Sequence, residues 1–253
     1  MREAGSGKRE TQGKRVAIVQ SNYIPWKGYF DMIASVDEFI LYDDVQYTRR
    51  DWRNRNQIKT PSGLAWLTIS VEVKGKYTQR IRDVVVSDTN WSKTHWRTLA
   101  HHYARAPHYR ELKPRVEEWY GAVGALKYLS EINEHFLRAI CGTLEIGTTI
   151  TQSSQFNLSE GRTERLLDLC VQAGAQTYLS GPAARAYLDV PMFEAAGVAV
   201  SWMDYDGYPE YPQLYPPFEH GVTILDLLFN AGSAARRYMK AGSGTSGVPN
   251  ASA

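Results

Sequence analysis

Two polar segments near the start of the chain carry the side chains best suited to bind and transform a small molecule. The first segment, residues 20–30, offers amide and phenol hydrogen-bonding groups beside aromatic faces. Its candidate substrate-binding residues are Gln20, Tyr23, Trp26 and Tyr29. A turn closed by a Trp lid over the core is the alternative interpretation of this segment.

The second segment, residues 43–59, begins with two carboxylates and continues with cations and amides. Its candidate substrate-binding residues are Gln46, Tyr47, Arg53, Asn54, Arg55, Asn56 and Lys59. Because a guanidinium group binds phosphate or carboxylate through paired hydrogen bonds, the segment predicts a cradle for an anion. The alternative is a solvated loop with ordinary ion pairs.

The candidate catalytic residues are Asp43, Asp44 and His95. An amine must lose a proton before it attacks, so either carboxylate is a candidate to orient the amine or to act as its base. The same two carboxylates are also candidate ligands of Mg²⁺. His95 is a reserve acid or base.

A third polar segment, residues 179–189, runs from a strand through Ser180 and Gly181 into a helix that carries Arg185. Free backbone N–H groups at a helix start favour an anion, so these three residues join the substrate-binding candidates. A capped helix start without a ligand is the alternative. The Tyr- and Pro-rich segment 204–220 predicts a lid or a strap across the surface.

Standard cofactor and catalytic motifs do not occur in the sequence. We find no Walker P-loop, GxGxxG, GxSxG, HExxH or zinc-ligand spacing, so nothing indicates a dinucleotide enzyme, a serine hydrolase or a zincin. No metal site is predicted from the six histidines, and the net charge of +2 argues against a globally basic nucleic-acid binder. Single-stranded nucleic acid remains a disfavoured ligand of the Arg-rich segment.

The elements that position these segments follow from hydrophobic patterning. Val16–Val19 and Phe39–Tyr42 predict buried strands with a short helix between them, which is a parallel βαβ unit. Loops at the carboxyl ends of parallel strands form the usual ligand site of such sheets. Further predicted elements are a hairpin of Ala65–Val73 with Arg80–Val86, helices at Trp91–Tyr103, Leu126–Leu144 and Ser159–Ala173, strands at Thr177–Leu179 and Val198–Trp202, and a last helix from Val222.

Strands that alternate with helices indicate an α/β fold. We expect one domain over residues 15–240 with a helical lobe at about 91–144, and disordered tails at 1–14 and 241–253. With 43% hydrophobic residues, two cysteines without CxxC spacing, no apolar signal segment and no membrane span, a cytoplasmic protein is predicted.

Several stretches together resemble the WbqC-like family, bacterial proteins encoded among polysaccharide, O-antigen and some natural-product biosynthesis genes. The matching stretches are QSNYIPWKGYFDMI, FILYDDVQYTRRDWRNRNQIKTP, WLTISV, YLSGPAARAYLD, YPQL and ILDLLFNAG. Asn22 departs from the pattern, in which a Pro is expected there. The resemblance covers about residues 16–232 and implies a biosynthetic role.

The opening of the chain is also distantly similar to pantothenate synthetase and related nucleotidyltransferase-type enzymes. This likeness implies a parallel-sheet core of nucleotidyltransferase-like type and places Gln46 at a glutamine that binds the acid substrate. Pro25 and Tyr29 stand where those enzymes have two histidines that stabilise the transferring phosphate. ATP with Mg²⁺ is left open as a cofactor, because the likeness implies it but the two histidines are replaced.

The leading hypothesis is a biosynthetic enzyme that modifies an amine-bearing metabolite, such as a nucleotide-linked amino sugar or a natural-product precursor. The reaction would be acyl or aminoacyl transfer with amide formation. A non-catalytic small-molecule-binding protein of the same kind of pathway is the alternative. The expected partner is an anionic small molecule, with no membrane partner, and a homo-oligomer is left open.

Overall fold

The computed structural model describes residues 13–241. Its strands are β1 (Arg15–Val19), β2 (Glu38–Leu41), β3 (Arg55–Thr60), β4 (Gly63–Thr68), β5 (Thr149–Gln152), β6 (Thr177–Ser180) and β7 (Ala199–Trp202). Its α-helices are α1 (Lys27–Ala34), α2 (Trp91–Tyr103), α3 (Tyr109–Val123), α4 (Leu129–Thr143), α5 (Arg162–Gln172), α6 (Val190–Ala195) and α7 (Ile224–Ala231).

A five-stranded sheet in the order β5-β2-β1-β6-β7 forms the centre of the molecule, and every neighbouring pair is parallel. From β1 the chain adds β2 and β5 on one side, then returns to add β6 and β7 on the other. This order creates a switch point between β1 and β6, where the loops leaving adjacent strands diverge. The predicted α/β class and the opening parallel βαβ unit are confirmed; the nucleotidyltransferase-like type stays a prediction.

The two faces of the sheet pack into different hydrophobic clusters, because successive strand side chains point to opposite faces. Val16 and Ile18 of β1 belong to a cluster that includes Leu169 of α5. Ala17 belongs to the larger cluster, which includes Phe30 of α1 and the apolar residues of α2, α3, α4 and α7. Helices on both faces bury the sheet, as parallel sheets require.

The helices α2, α3 and α4 occupy the region where a helical lobe is expected. In α4 the residues Ile132, Phe136 and Ile140 are fully buried at helical spacing. The helix α4 begins at Leu129 rather than at Leu126, because Leu126 lies in the preceding loop. Within residues 13–241, no helix is long and apolar enough to cross a membrane.

The predicted hairpin of Ala65–Val73 with Arg80–Val86 is wrong. The strand β4 pairs instead with β3, which we did not predict and which overlaps the end of the polar segment 43–59. Only an isolated bridge between Val71 and Val86 joins the two predicted strands. An amphipathic run specifies a strand but not its partner, and β3 reaches β4 through a much shorter turn.

The helix α5 ends where the sequence predicts, since Gly174 has a positive φ of 68° just after it. Its start differs: Gly161, with φ of 96°, precedes the first helical residue Arg162, and Ser159 lies outside the helix. Of the predicted tails, residues 1–12 and 242–253 lie outside the described residues. Lys14, the last residue of the predicted N-terminal tail, is among the described residues, and its ammonium group donates a hydrogen bond to the Ala173 carbonyl at 2.7 Å.

The buried carboxylate of Asp226, in α7, fastens the Tyr- and Pro-rich segment 204–220 to the body of the protein. It accepts hydrogen bonds from the Tyr211 hydroxyl at 2.6 Å and the Gln213 amide at 2.8 Å. The Tyr103 hydroxyl of α2 donates to its other oxygen at 2.8 Å. The Tyr215 hydroxyl of the segment also donates to the His102 carbonyl of α2 at 2.7 Å, so the segment crosses the surface as a strap tied to two helices.

Replacing Asp226 with Ala leaves these buried donors without an acceptor. We expect the free energy of unfolding to fall by about 2–4 kcal/mol, measured by urea denaturation. The matched variant Asp83→Ala removes an exposed carboxylate (60% exposed side chain) and should change stability by less than about 0.5 kcal/mol. Equal stabilities of the two variants would show that Asp226 does not hold the strap.

Candidate functional site

A cleft of about 820 Å³ opens at the carboxyl edge of the sheet, between β1 and β6. We call it the switch-point cleft. Its lining residues come from the ends of β1, β2 and β6, from α1 and α5, and from the chain after β7. Open α/β sheets bind ligands at this position, and a volume in this range suits a small-molecule ligand.

The positive charge of the switch-point cleft comes from the start of α5. Arg162 and Arg165 line the cleft together with Gly161. The first backbone N–H groups of α5 have no side-chain cap, so they add the positive end of the helix dipole. Two guanidinium groups beside a helix start without a side-chain cap favour phosphate or carboxylate, although the Glu164 carboxylate of the same turn lies against Gly161.

Neighbouring aromatic groups support both arginines. The Arg162 guanidinium lies 3.7 Å from the ring centroid of Tyr187. The Nε of Arg165 donates to the Ser159 carbonyl at 2.6 Å, and its side chain interacts with the Tyr42 hydroxyl. Burial raises the pKa of Tyr42, so this phenol stays protonated and available as a hydrogen-bond partner.

Phenol rings form much of the remaining wall of the cleft, contributed by Tyr29, Tyr178 and Tyr205. Burial raises the pKa of Tyr205 to about 12, and it also raises the pKa of Tyr29 and of Tyr178. Neutral phenols offer stacking faces and hydroxyl donors without adding negative charge. The cleft therefore combines flat apolar walls with a cationic end.

Five of the predicted substrate-binding residues line the switch-point cleft. They are Gln20, Tyr29, Gln46, Ser180 and Gly181. The Tyr29 hydroxyl donates to the Gln20 carbonyl at 2.9 Å, and the Gln46 amide donates to the Tyr77 carbonyl at 2.8 Å. Apart from Tyr29 of α1, these residues lie at the ends of β1, β2 and β6 or in the loops that follow. These loops open at one edge of the sheet, as we expect for parallel strands.

The cations of segment 43–59 do not gather into one cradle. Arg53 donates to the side-chain oxygens of Asn22 and Gln20. Arg55 lies over the Trp66 ring, 4.1 Å from its centroid, and donates to the Arg50 carbonyl.

Lys59 is buried and donates to the Pro217 carbonyl, so the structure does not bring it to the cleft. The amide of Asn54 donates to the Ile69 carbonyl at 2.8 Å within the interior. Arg185 lies near the cleft but over the Trp202 ring, 5.1 Å from its centroid. These three polar side chains therefore contact the protein itself.

The predicted catalytic carboxylates lie beside the cleft, around a recess of only about 20 Å³. Asp43 accepts a hydrogen bond from the Ser21 backbone at 2.8 Å, and burial raises the pKa of its carboxyl. Asp44 is paired with Arg82 at 2.6 Å and accepts from the Ser153 hydroxyl at 2.7 Å. Within residues 13–241, no group of three His, Cys, Asp or Glu residues is placed to hold a metal ion.

His95 and Tyr23 lie in the core, away from the cleft. The His95 Nδ1 is hydrogen-bonded to the Tyr23 hydroxyl at 2.8 Å, and the same hydroxyl bonds that of Tyr120 at 2.7 Å. Burial lowers the pKa of His95 to about 4, and a backbone bond to Thr68 opposes this shift only partly. The imidazole is therefore neutral at physiological pH, and it belongs to a buried chain of hydrogen bonds with Tyr23 and Tyr120.

The remaining predicted residues line other surfaces. Trp26 and Asn56 line a second cavity, of about 300 Å³. Tyr47 lines a groove on the outer side of the sheet edge with Arg49 and Tyr77. The structure thus distributes the predicted residues over several sites.

Sequence reasoning missed the two arginines of the cleft and its phenols Tyr42, Tyr178, Tyr187 and Tyr205. One signal was present: Arg162 and Arg165 are three residues apart near a helix start, so they share a face. Nothing local indicates that this helix start faces the loops after β1 and β6, because that depends on how distant segments pack.

Comparison with known proteins identifies the family. A family model described as "WbqC-like protein family" matches residues 20–238, so this chain belongs to that family. The chain is 50% identical over 230 residues to the protein titled "Uncharacterized protein Rv1507c" from Mycobacterium tuberculosis (strain ATCC 25618 / H37Rv), a match that covers 90% of this chain and 98% of the relative. No solved structure matches significantly.

The buried His95 predicts a specific pH dependence of stability. Its pKa is about 4 in the folded protein against an ordinary value of 6.5, so the unfolded chain binds a proton more readily. Stability from this group is present above pH 6.5 and is lost as the pH falls toward 4. Relative to His95→Gln, the wild type should lose about 2 kcal/mol more between pH 7 and about pH 4.5 in urea titrations.

His101→Gln, which removes an exposed imidazole from the same helix, is the control variant. If the wild type and His95→Gln lost the same stability between these pH values, the buried imidazole would not be the group responsible.

Proposed function

We propose that this protein is a biosynthetic enzyme that binds an anionic, phosphate-bearing metabolite in the switch-point cleft. The reaction we propose is acyl or aminoacyl transfer to an amine, with formation of an amide. The observation that carries the binding step is the pair Arg162 and Arg165 at the uncapped start of α5. Membership of the WbqC-like family supports the biosynthetic setting.

The cleft has the dimensions and chemistry for a nucleotide or a nucleotide-linked sugar. Its volume of about 820 Å³ exceeds what a phosphate alone needs, and its phenol walls suit a flat ring. Ser180 and Gly181, at the end of β6, line the same cleft as the α5 arginines. We therefore assign phosphate binding to the arginines and contacts with the rest of the metabolite to Gln20, Gln46 and Ser180.

Asp43 is the carboxylate that we propose as base for the amine. Its backbone partner Ser21 follows directly on Gln20, which lines the cleft. Burial raises the pKa of Asp43, which makes the carboxylate a stronger base than an exposed one. Asp44 is held by Arg82 and Ser153, so we assign it to positioning the Asp43 loop.

A non-catalytic binding protein of the same kind of pathway is the second candidate. The observation that favours it concerns the lining of the cleft. Among the described residues that line it, none is a carboxylate, histidine, cysteine or lysine, so no conventional general base faces the ligand. Both candidates share the anionic ligand and differ only in turnover.

Removing the cationic end of the cleft should weaken binding of phosphate-bearing ligands. We expect Arg162→Ala and Arg165→Ala each to raise the Kd for ATP or UDP-N-acetylglucosamine at least about tenfold in calorimetric titrations, since each removes a charge-assisted contact. The matched variant Arg97→Ala removes an exposed arginine of α2 outside the cleft and should bind like the wild type. Unchanged affinity in the double variant would contradict the assigned phosphate site.

Catalysis is tested by incubating the protein with amino sugars and activated acyl or aminoacyl donors and recording product masses. We expect amide formation by the wild type and at least about a hundredfold lower rate for Asp43→Asn, because the amide lacks a basic oxygen. Circular dichroism establishes that the variant is folded. Tight ligand binding without any mass change would favour the non-catalytic candidate.

A further inference from the structure

A second cavity lies beside the switch-point cleft, with a volume of about 300 Å³. We call it the tryptophan pocket; its lining residues are Asn22, Pro25, Trp26, Trp52, Asn56, His220 and Gly221. Trp52 packs beside Trp66, with ring centroids 5.4 Å apart, and is 43% exposed, so part of its indole is open at the rim. Indole faces and a proline ring bind the flat face of a ring rather than a charged group.

The polar groups of the tryptophan pocket are uncharged, and some of them are free to contact a ligand. The Nδ1 of His220 is shielded from solvent and has no hydrogen-bond partner within residues 13–241. Burial, and then the nearby Lys27, lowers the pKa of His220, so the imidazole is neutral at pH 7. Asn22 uses its side-chain oxygen to accept from Arg53, while within the described part of the chain its NH₂ group bonds no other residue.

Asn56 has a different role, because its amide is fully used inside the protein. Its NH₂ group donates to the Tyr23 and Ile24 carbonyls, and its oxygen accepts from the Gln57 backbone. It therefore forms a fixed wall of the pocket. The contacts left for a ligand are the accessible part of the neutral His220 imidazole and the Asn22 amide donor, at the edge of an aromatic slot.

The tryptophan pocket and the switch-point cleft lie on opposite sides of one thin partition. Trp26 lines the pocket and Tyr205 lines the cleft, and their rings are in contact with centroids 5.4 Å apart. The Arg53 guanidinium also spans the two, since it bonds Gln20 of the cleft and Asn22 of the pocket. A ligand bound in one cavity is thus a single side-chain layer away from the other.

We propose that the tryptophan pocket binds the neutral ring of a substrate, with the ring face against Trp52 and its polar edge toward His220 and Asn22. This inference rests on the proposed function, since it assigns the anionic group of the reacting pair to the cleft and an uncharged ring to the pocket. A sugar ring and a nucleobase both present this chemistry. Neither a charged group nor a long alkyl chain does.

The test uses probes without phosphate, which lack the group that the α5 arginines would bind, and the variants of Trp52 and His220 separate the pocket from the cleft. Ligand-observed NMR titrations with N-acetylglucosamine and methyl glucoside form the sugar arm, and uridine and adenosine form the nucleobase arm. We expect at least one arm to bind the full-length protein below about 10 mM. Trp52→Ala and His220→Ala should each weaken that binding at least about fivefold.

Two control variants separate this pocket from the cleft and from general effects. Tyr77→Ala removes an exposed aromatic ring (70% exposed) outside the pocket and should leave probe binding unchanged. Arg97→Ala, which removes an exposed arginine outside both cavities, should also leave probe binding unchanged. Failure of the proposed phosphate site is read separately, from the ATP titrations of the Arg162 and Arg165 variants.

The arm that binds identifies the ring as a sugar or a nucleobase. Absence of binding in both arms would overturn the inference. Binding that survives both Trp52→Ala and His220→Ala would overturn it as well, because the ring would then be held elsewhere.

Discussion

The loop after β1, residues 20–26, passes through the interior of the protein, and its backbone polar groups need partners there. Other segments supply them: Asp43 accepts from the Ser21 N–H, and the Asn56 amide donates to the Tyr23 and Ile24 carbonyls. The Tyr23 hydroxyl in turn bonds His95. These partners come from distant parts of the chain. The hydrogen bonds that satisfy the loop therefore also tie it to the strand β3 and to the helical lobe.

This constraint also shapes the candidate site. A loop with paired backbone groups is a rigid wall, and on its two sides lie the switch-point cleft and the tryptophan pocket. The Arg53 guanidinium donates to the side-chain oxygens of Gln20 and Asn22, so it stiffens the wall between the cavities. The free positive charge comes instead from α5, whose arginines have aromatic and carbonyl partners but no carboxylate partner within residues 13–241.

Much of the fold could be predicted because hydrophobic periodicity is a local property. The strands β1, β2, β6 and β7 and the helices α2, α4 and α5 lie within a few residues of the predicted ranges. The strands β3 and β5 were missed because their residues are mostly polar. The hairpin failed since β4 had two candidate partners and periodicity does not choose between them.

The sequence by itself determined the α/β class, the positions of most elements, the family, and the presence of polar loops at the carboxyl ends of strands. Tertiary structure decided which polar side chains are hydrogen-bonded within the protein and which line the cleft. Lys59 and Arg162 are both cations in polar segments, yet Lys59 is buried against the Pro217 carbonyl whereas Arg162 lines the cleft. Residue type specifies what a side chain can bond, but the partner it bonds depends on distances in space that only packing establishes.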